Sequence, residues 1–317
     1  MTRGFITVAT GKENYYKTAA NLLLSYKFFS KYPLPFAILC DKENEYTKLF
    51  DKTIILENPH RTYLDKIELL NNIPFDETIF VESDCLAYAD MNLFFDAFKG
   101  CDDFSIFGRS IPLESQENGW FRIEETGKYR EYIKFKQRFH SAVIYLRKSD
   151  ICRKIYKICK DVDKNFQLYN IGGNREALDD KLFGIGSAVM QCKMTNNSPK
   201  GYANYCYYPH EKNMKKHPKA QMRKFSCLFF NYKNEQSKAI ICHWNNINTR
   251  RVLYKREVAS LQYLISKKPY LKIKEILLTV LYPFSELKQN IHDMLWKFLL
   301  WKPIKACLKP FKKIFRK

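Results

Sequence analysis

Apolar runs and amphipathic stretches alternate over the first ninety residues. Phe5 to Thr10 reads as a buried strand that Gly11 breaks. Ala19, Leu22, Leu23, Tyr26 and Phe29 then recur at helical spacing, and Pro33 and Pro35 stop that helix. Further strands are expected at Phe36 to Cys40, ending on Asp41, at Thr53 to Leu56, and at Thr78 to Val81, which runs into Glu82-Ser83-Asp84. A short helix over Leu64 to Leu70 separates the last two. Strands separated by helices in this order predict an α/β fold built on a mainly parallel sheet, with ligands at the carboxyl ends of its strands.

The rest of the chain is less regular. Asp103 to Phe107 and Ala142 to Leu146 read as strands on either side of a polar insertion, Pro112 to Gln137. Lys148 to Lys160 reads as a helix with Ile151, Ile155 and Ile158 on one face. Asn196 to Lys224 lacks periodicity and is expected to form loops, and Ala239 to Cys242 to form the last strand of the core, ending at His243. From about Pro269 onward apolar and aromatic residues are mixed with lysines. Ile276, Leu277, Val280 and Leu281 make one helical face; Ile291, Leu295, Phe298 and Leu299 make another, and a lysine-rich end follows from Lys302.

Charge changes this picture at that end. The formal net charge is +21, and 13 of the 54 Lys and Arg but only 3 of the 33 Asp and Glu fall from Lys267 onward. Such an asymmetry suggests a basic appendage that seeks a polyanion. The apolar residues interleaved with its lysines suit the headgroup layer of an anionic membrane. A nucleic-acid partner is disfavoured, because no recognised motif appears and the aromatics follow core periodicity. None of the ten cysteines forms a Cys-x-x-Cys pair, so a zinc ribbon is unsupported and reduced cytoplasmic thiols are expected. No leader-like start and no apolar run long enough to span a bilayer is present in the sequence. The expected location is the cytoplasm, peripherally on the inner face of the cell membrane.

The strongest chemical signal is Phe80-Val81-Glu82-Ser83-Asp84-Cys85, an apolar strand whose end presents two carboxylates two residues apart. Such a pair can hold a divalent cation through hard oxygen ligands while the cation's open positions face a diphosphate. It can equally be a solvated turn or a helix cap.

The order of these segments resembles the glycosyltransferase A-type fold, in particular the bacterial lipopolysaccharide galactosyl- and glucosyltransferases and glycogenin. The strand into Glu82-Ser83-Asp84 looks like the family's strand into Asp-x-Asp. Leu64 to Leu70 places Lys66 where the family has a basic residue near the nucleotide. Phe139-His140-Ser141-Ala142-Val143 looks like its Phe-Asn-Ser-Gly-Val strand, Ala177-Leu178-Asp179-Asp180 like its acidic acceptor-side segment, and Ile241-Cys242-His243-Trp244 like the strand whose His completes a metal site. The likeness covers roughly residues 4 to 246.

That resemblance implies a nucleotide-sugar-dependent catalytic domain over 1–265, followed by the membrane-associating tail over 266–317. It implies Mn²⁺ or Mg²⁺ on Glu82, Asp84 and His243, and a donor, a UDP-sugar before others, on Ala9, Thr10, Asp41, Lys66, Glu82, Ser83 and Asp84. His140 and Ser141 fall to a saccharide or lipid-linked acceptor, and Asp179 and Asp180 to catalysis. The chain departs from the pattern at Glu82, which replaces Asp, and at His140 and Ala142. It also lacks the Gly and Lys that follow the metal-site His, where Arg250 and Arg251 could supply charge. Each residue keeps a plainer alternative: His243 a capped strand end, Asp179 and Asp180 a helix start, Lys66 a surface lysine, Asp41 a turn. The expected function is metal-assisted hexose transfer in surface polysaccharide or lipopolysaccharide synthesis, with retention favoured over inversion. The alternatives are a basic nucleic-acid-binding protein, a nucleotidyltransferase, or an inactive scaffold on the same fold.

Overall fold

In the computed structural model, residues 1–200, 204–207, 239–245, 249, 252–278 and 280–281 are described. Four strands rich in apolar residues form the parallel part of a sheet: β1 (Arg3–Ala9), β2 (Phe36–Cys40), β3 (Lys52–Ile55) and β4 (Glu77–Val81). Two further strands, β6 (Phe104–Pro112) and β7 (Phe135–Arg147), complete the order β3-β2-β1-β4-β7-β6, with β7 antiparallel to both of its neighbours. The expected mixed, mainly parallel sheet is therefore present.

Its central strands are apolar on both faces because both are covered. Phe5, Ile38, Ile79, Val81 and Val143 pack into one core with Tyr16, Leu22 and Tyr26 of helix α1 (Glu13–Phe29) and Phe94 of helix α2 (Leu93–Ala97). Their neighbours Ile6, Leu39, Phe80 and Ile144 point the other way. They pack with Ile155 and Val162 of α3 (Asp150–Lys164) and Leu182 and Phe183 of α4 (Asp179–Val189). Side chains alternate across a strand with a period of two, so each central strand feeds both cores.

The chain runs outward from β1 through β2 to β3 and then returns to place β4 on the opposite side of β1. The order reverses between β1 and β4, and a crevice opens at their carboxyl ends. Ala9-Thr10 and Glu82-Ser83-Asp84 lie at those ends. β4 then passes directly into β5 (Cys85–Ala87), which belongs to a second sheet of order β5-β9-β8 with β8 (Asn204–Tyr207) and β9 (Ala239–His243). β9 pairs antiparallel with β5, so that Cys85 sits opposite His243.

The last expected strand of the core is present as β9, with Ile240 and Ile241 buried in the α1-side core. It pairs with β5 and β8 in the second sheet. Three expectations are corrected. Residues 204–207 form a strand where loops were expected, because they find a parallel partner in β9. The polar insertion is shorter than expected: β6 and β7 pair out to Pro112 opposite Phe135, with a 3-10 segment at Ile123–Tyr132 between them. Cross-strand pairing carries polar residues into a ladder that their composition alone does not suggest. A bulge after Ile106 brings Gly108 so close to β7 that an added Cβ would sit 2.4 Å from the Arg138 carbonyl oxygen. Finally, the Leu64 to Leu70 helix is a 3-10 helix, Tyr63–Asn71, started by Thr62, whose hydroxyl accepts from the Leu64 N–H.

The described residues fall into two compact units, one reaching Thr249 and the other starting at Val252. The second contains helix α5 (Val252–Ser266) and a helix over 269–278. The apolar face at Ile291 to Leu299 and the lysine-rich end lie outside the described residues, as do Arg250 and Arg251.

Candidate functional site

A cavity of about 420 Å³ occupies the crevice between β1 and β4, within the size range of small-molecule sites. Of the expected site residues, Ala9, Thr10, Lys66, Glu82, Ser83, Asp84, His140, Ser141, Asp179, Asp180 and His243 all line it. Residues from both sheets, a 3-10 helix and a helix N-terminus converge there.

At one end Glu82 and Asp84 leave β4 on either side of Ser83, and β9 delivers His243 between them. His243 Nε2 lies 2.7 Å from Glu82 Oε2 and 2.9 Å from Asp84 Oδ1. The three residues offer ligand atoms all within 4.8 Å of one another. Two carboxylates and an imidazole form a donor set suited to Mn²⁺ or Mg²⁺, so the residues present fit such a cation. Burial opposes a charge on His243, yet Asp84 and Glu82 raise its pKa to about 10. The imidazolium bridges the two carboxylates where a cation would sit. Glu82 is itself held well below the ordinary carboxylate range against burial, by Lys66 and His243.

The opposite wall is built around Lys66. Its side chain is 7% exposed, and Nζ donates to Glu82 Oε1 at 2.5 Å, Asp179 Oδ2 at 2.5 Å and Ser141 Oγ at 3.0 Å. The surface-lysine alternative is thereby excluded. Burial alone would discharge this amine; Asp179, Glu82 and Asp180 keep it well above its usual pKa. Asp179 and Asp180 do open a helix, α4, and they also line the cavity. His140, from β7, lies with its ring centroid 5.3 Å from that of His243. Burial, with His243 and Lys66 in support and Glu82 opposing, pushes its pKa down to about 4, so it is a neutral imidazole at neutral pH.

Asp180 differs from its neighbours. Among the described residues its Oδ1 is buried without a hydrogen-bond partner, and burial followed by the Asp179 charge raises the pKa to about 7 although Lys66 opposes. A group with a folded pKa near 7 against an unfolded value near 4 binds its proton more tightly in the folded state. It therefore weakens the fold as pH rises from 4 through 7. Asp180→Asn is expected to stabilise the protein on the order of a few kcal/mol at pH 8 and hardly at all at pH 4. Thermal melts across that range test it; a gain that is the same at every pH contradicts the assignment.

Asp41, expected at the nucleoside, stands behind the cavity wall. Its carboxylate, 3% exposed, accepts from the Gly11 N–H at 3.2 Å, the Arg61 Nε at 3.0 Å and the Tyr16 hydroxyl. The Thr10 hydroxyl is likewise engaged, donating to Asp65 at 2.6 Å. Sequence reasoning missed Tyr15, Arg61, Tyr63, Asn174, Glu176 and Asn245, which also line the cavity. Tyr15 lies in α1 and packs against the core beside it, so its helical position marked it as a core residue rather than a site residue. The one signal available for Arg61 and Tyr63 was their place in a polar segment immediately before the Lys66 helix.

The chain matches no protein-family model and no curated protein. Among solved structures it is similar to the galactosyltransferase LgtC in complex with donor and acceptor sugar analogs, at 13% identity over 86% of this chain and 99% of that one, with a TM-score of 0.48. An active-site mutant of LgtC is 12% identical over 81% of this chain and 94% of that one, with a TM-score of 0.49. The apo form of mouse xyloside xylosyltransferase 1 is 12% identical over 78% and 99%, with a TM-score of 0.44.

Proposed function

We propose that the protein is a glycosyltransferase that moves a hexose from a nucleoside-diphosphate sugar to a saccharide or lipid-linked acceptor. One observation carries this reading: Glu82, Asp84 and His243 converge at the topological switch point, and in the same cavity Lys66, Ser141, Asp179 and Asp180 form a second polar cluster. The first cluster suits a diphosphate and the second a sugar. A divalent cation held by Glu82, Asp84 and His243 would neutralise charge on the departing diphosphate.

The chain's own residues do the rest. Lys66 fixes Glu82 and Asp179 relative to one another and so couples the two ends of the cavity. Asp179 and Asp180 present negative charge where a sugar ring acquires oxocarbenium character. Asp180, titrating near neutrality, can exchange a proton with the acceptor hydroxyl. A UDP-sugar is the donor proposed first, and surface polysaccharide or lipopolysaccharide synthesis the setting. Incubation with a panel of UDP-, GDP-, ADP- and CDP-sugars plus Mn²⁺ is expected to give slow hydrolysis of one donor class. Silence with every donor would favour a scaffold.

The acceptor's class follows from the second unit, if it works at a membrane surface. In the helix over 269–278 and the two residues at 280–281, Ile273, Ile276, Leu277 and Val280 are each more than half exposed. At 100° per residue they fall on one face, with Lys272 and Lys274 along its borders. Apolar residues bordered by lysines suit an anionic lipid headgroup layer, and a protein held there works at the inner face of the cell membrane. Ile276→Asp combined with Val280→Asp is expected to abolish co-sedimentation with phosphatidylglycerol vesicles and to leave donor hydrolysis intact. Unchanged co-sedimentation would move the attachment elsewhere in the chain.

A further inference from the structure

Arg61 has an unusual backbone for its side chain. Its φ is 59°, in the left-handed region that a non-glycine residue occupies only when its surroundings impose it. Those surroundings are identifiable. The fully buried Asp65 carboxylate accepts from the His60 N–H at 2.6 Å, the Arg61 N–H at 2.8 Å and the Thr10 hydroxyl at 2.6 Å, tying the 60–61 turn to the end of β1. The Arg61 side chain then lies over Gly11, whose own φ is +80°; a Cβ at Gly11 would meet Arg61 Cβ at 3.3 Å. Asp41 takes the Nε–H at 3.0 Å. A strained turn, two carboxylates almost wholly buried and a glycine thus fix one guanidinium at the cavity rim, where 64% of its side chain remains exposed. Its Nε–H partners the buried Asp41 carboxylate, while the exposed remainder of the side chain faces the cavity.

We propose that Arg61 binds the nucleoside part of the donor, through its terminal amino groups, at hydrogen-bond acceptors of the base. The inference rests on the glycosyltransferase reading and names a residue that reading does not use. Asp41 offsets the guanidinium charge, which makes Arg61 a directional donor of hydrogen bonds more than a counter-ion. The diphosphate falls instead to the cation that Glu82, Asp84 and His243 would hold. Tyr15 and Tyr63 line the same cavity and offer ring faces to a base.

The test is calorimetric binding of UDP, GDP, ADP and CDP, and of inorganic pyrophosphate, each with Mn²⁺, to the full chain and to Arg61→Gln and Arg61→Lys. For the diphosphate that binds the unaltered chain best, both variants are expected to lose about tenfold in affinity, the size of one or two charge-assisted hydrogen bonds. Pyrophosphate affinity is expected to be unchanged, which also reports an intact fold. Equal losses for nucleotide and pyrophosphate would make Arg61 a phosphate ligand and overturn the proposal, as would no loss for either. If the unaltered chain binds pyrophosphate but no nucleotide, the donor reading fails and this inference with it. A loss confined to the variants leaves that reading standing.

Discussion

Asp84→Ala is expected to abolish both sugar transfer and the metal dependence of nucleotide binding. Asp84 leaves the end of β4 and reaches His243 Nε2 at 2.9 Å, which is its ion-pair partner among the described residues. Glu82, by contrast, is shared between Lys66 and His243. Removing Asp84 takes a full negative charge from a site that must hold a divalent cation, and a loss of at least 10²-fold in kcat/KM is expected. Glu82→Gln should act differently, since it keeps an acceptor for the Lys66 amine but removes the counter-charge that the amine and His243 share. Proton linkage provides a second readout. With His243 titrating near 10, a cation must displace its proton, and Mn²⁺ affinity should rise about tenfold per pH unit through neutrality. Calorimetry of nucleoside diphosphate with and without Mn²⁺ decides the matter; equal, metal-independent binding by the unaltered chain and the variant would remove the metal site.

The central strands were legible because each is an apolar run bounded by Gly, Pro or Asp, and burial on both faces leaves such runs little alternative. The carboxylate pair was legible for a related reason: a polar Glu82-Ser83-Asp84 directly after Phe80-Val81 marks a strand end. What the sequence could not disclose was distance. Lys66 and Asp179 are 113 residues apart, yet share a bond of 2.5 Å. Local pattern carries no trace of it, and Lys66 was as consistent with a surface lysine as with a buried cation. Asp41 went astray for the opposite reason. It lies at a strand end that faces ligands in such folds, but the left-handed turn at Arg61 places a guanidinium in front of it. A positive φ at a non-glycine residue leaves no mark in the sequence. β8 was missed because four residues with a partner in a separate sheet have no periodicity long enough to read.

Lys66→Met is the substitution expected to cost most in stability, and its pH dependence distinguishes a charge effect from a packing effect. Methionine fills nearly the same volume, so the apolar stem's packing is largely preserved. The ammonium is lost, and Glu82 and Asp179, with side chains 15% and 9% exposed, are left facing each other across the space it bridged. Breaking a buried pair by removing one partner costs about 3–5 kcal/mol, because the remaining charge has no compensation. The sign with pH follows from Glu82. Its folded pKa lies well below the unfolded value near 4.5, so its stabilising contribution is present above that value and is lost as pH falls through the folded one. Without Lys66 the carboxylate can relieve the repulsion by taking up a proton, and its pKa moves upward. The variant should therefore be most destabilised at pH 8 and recover part of the difference by pH 5. Denaturant unfolding of the unaltered chain, Lys66→Met and Lys66→Arg at both values measures this, with Lys66→Arg expected to retain most of the stability. A loss in Lys66→Met that is identical at pH 8 and pH 5 would mean that Lys66 holds the site by shape and not by charge.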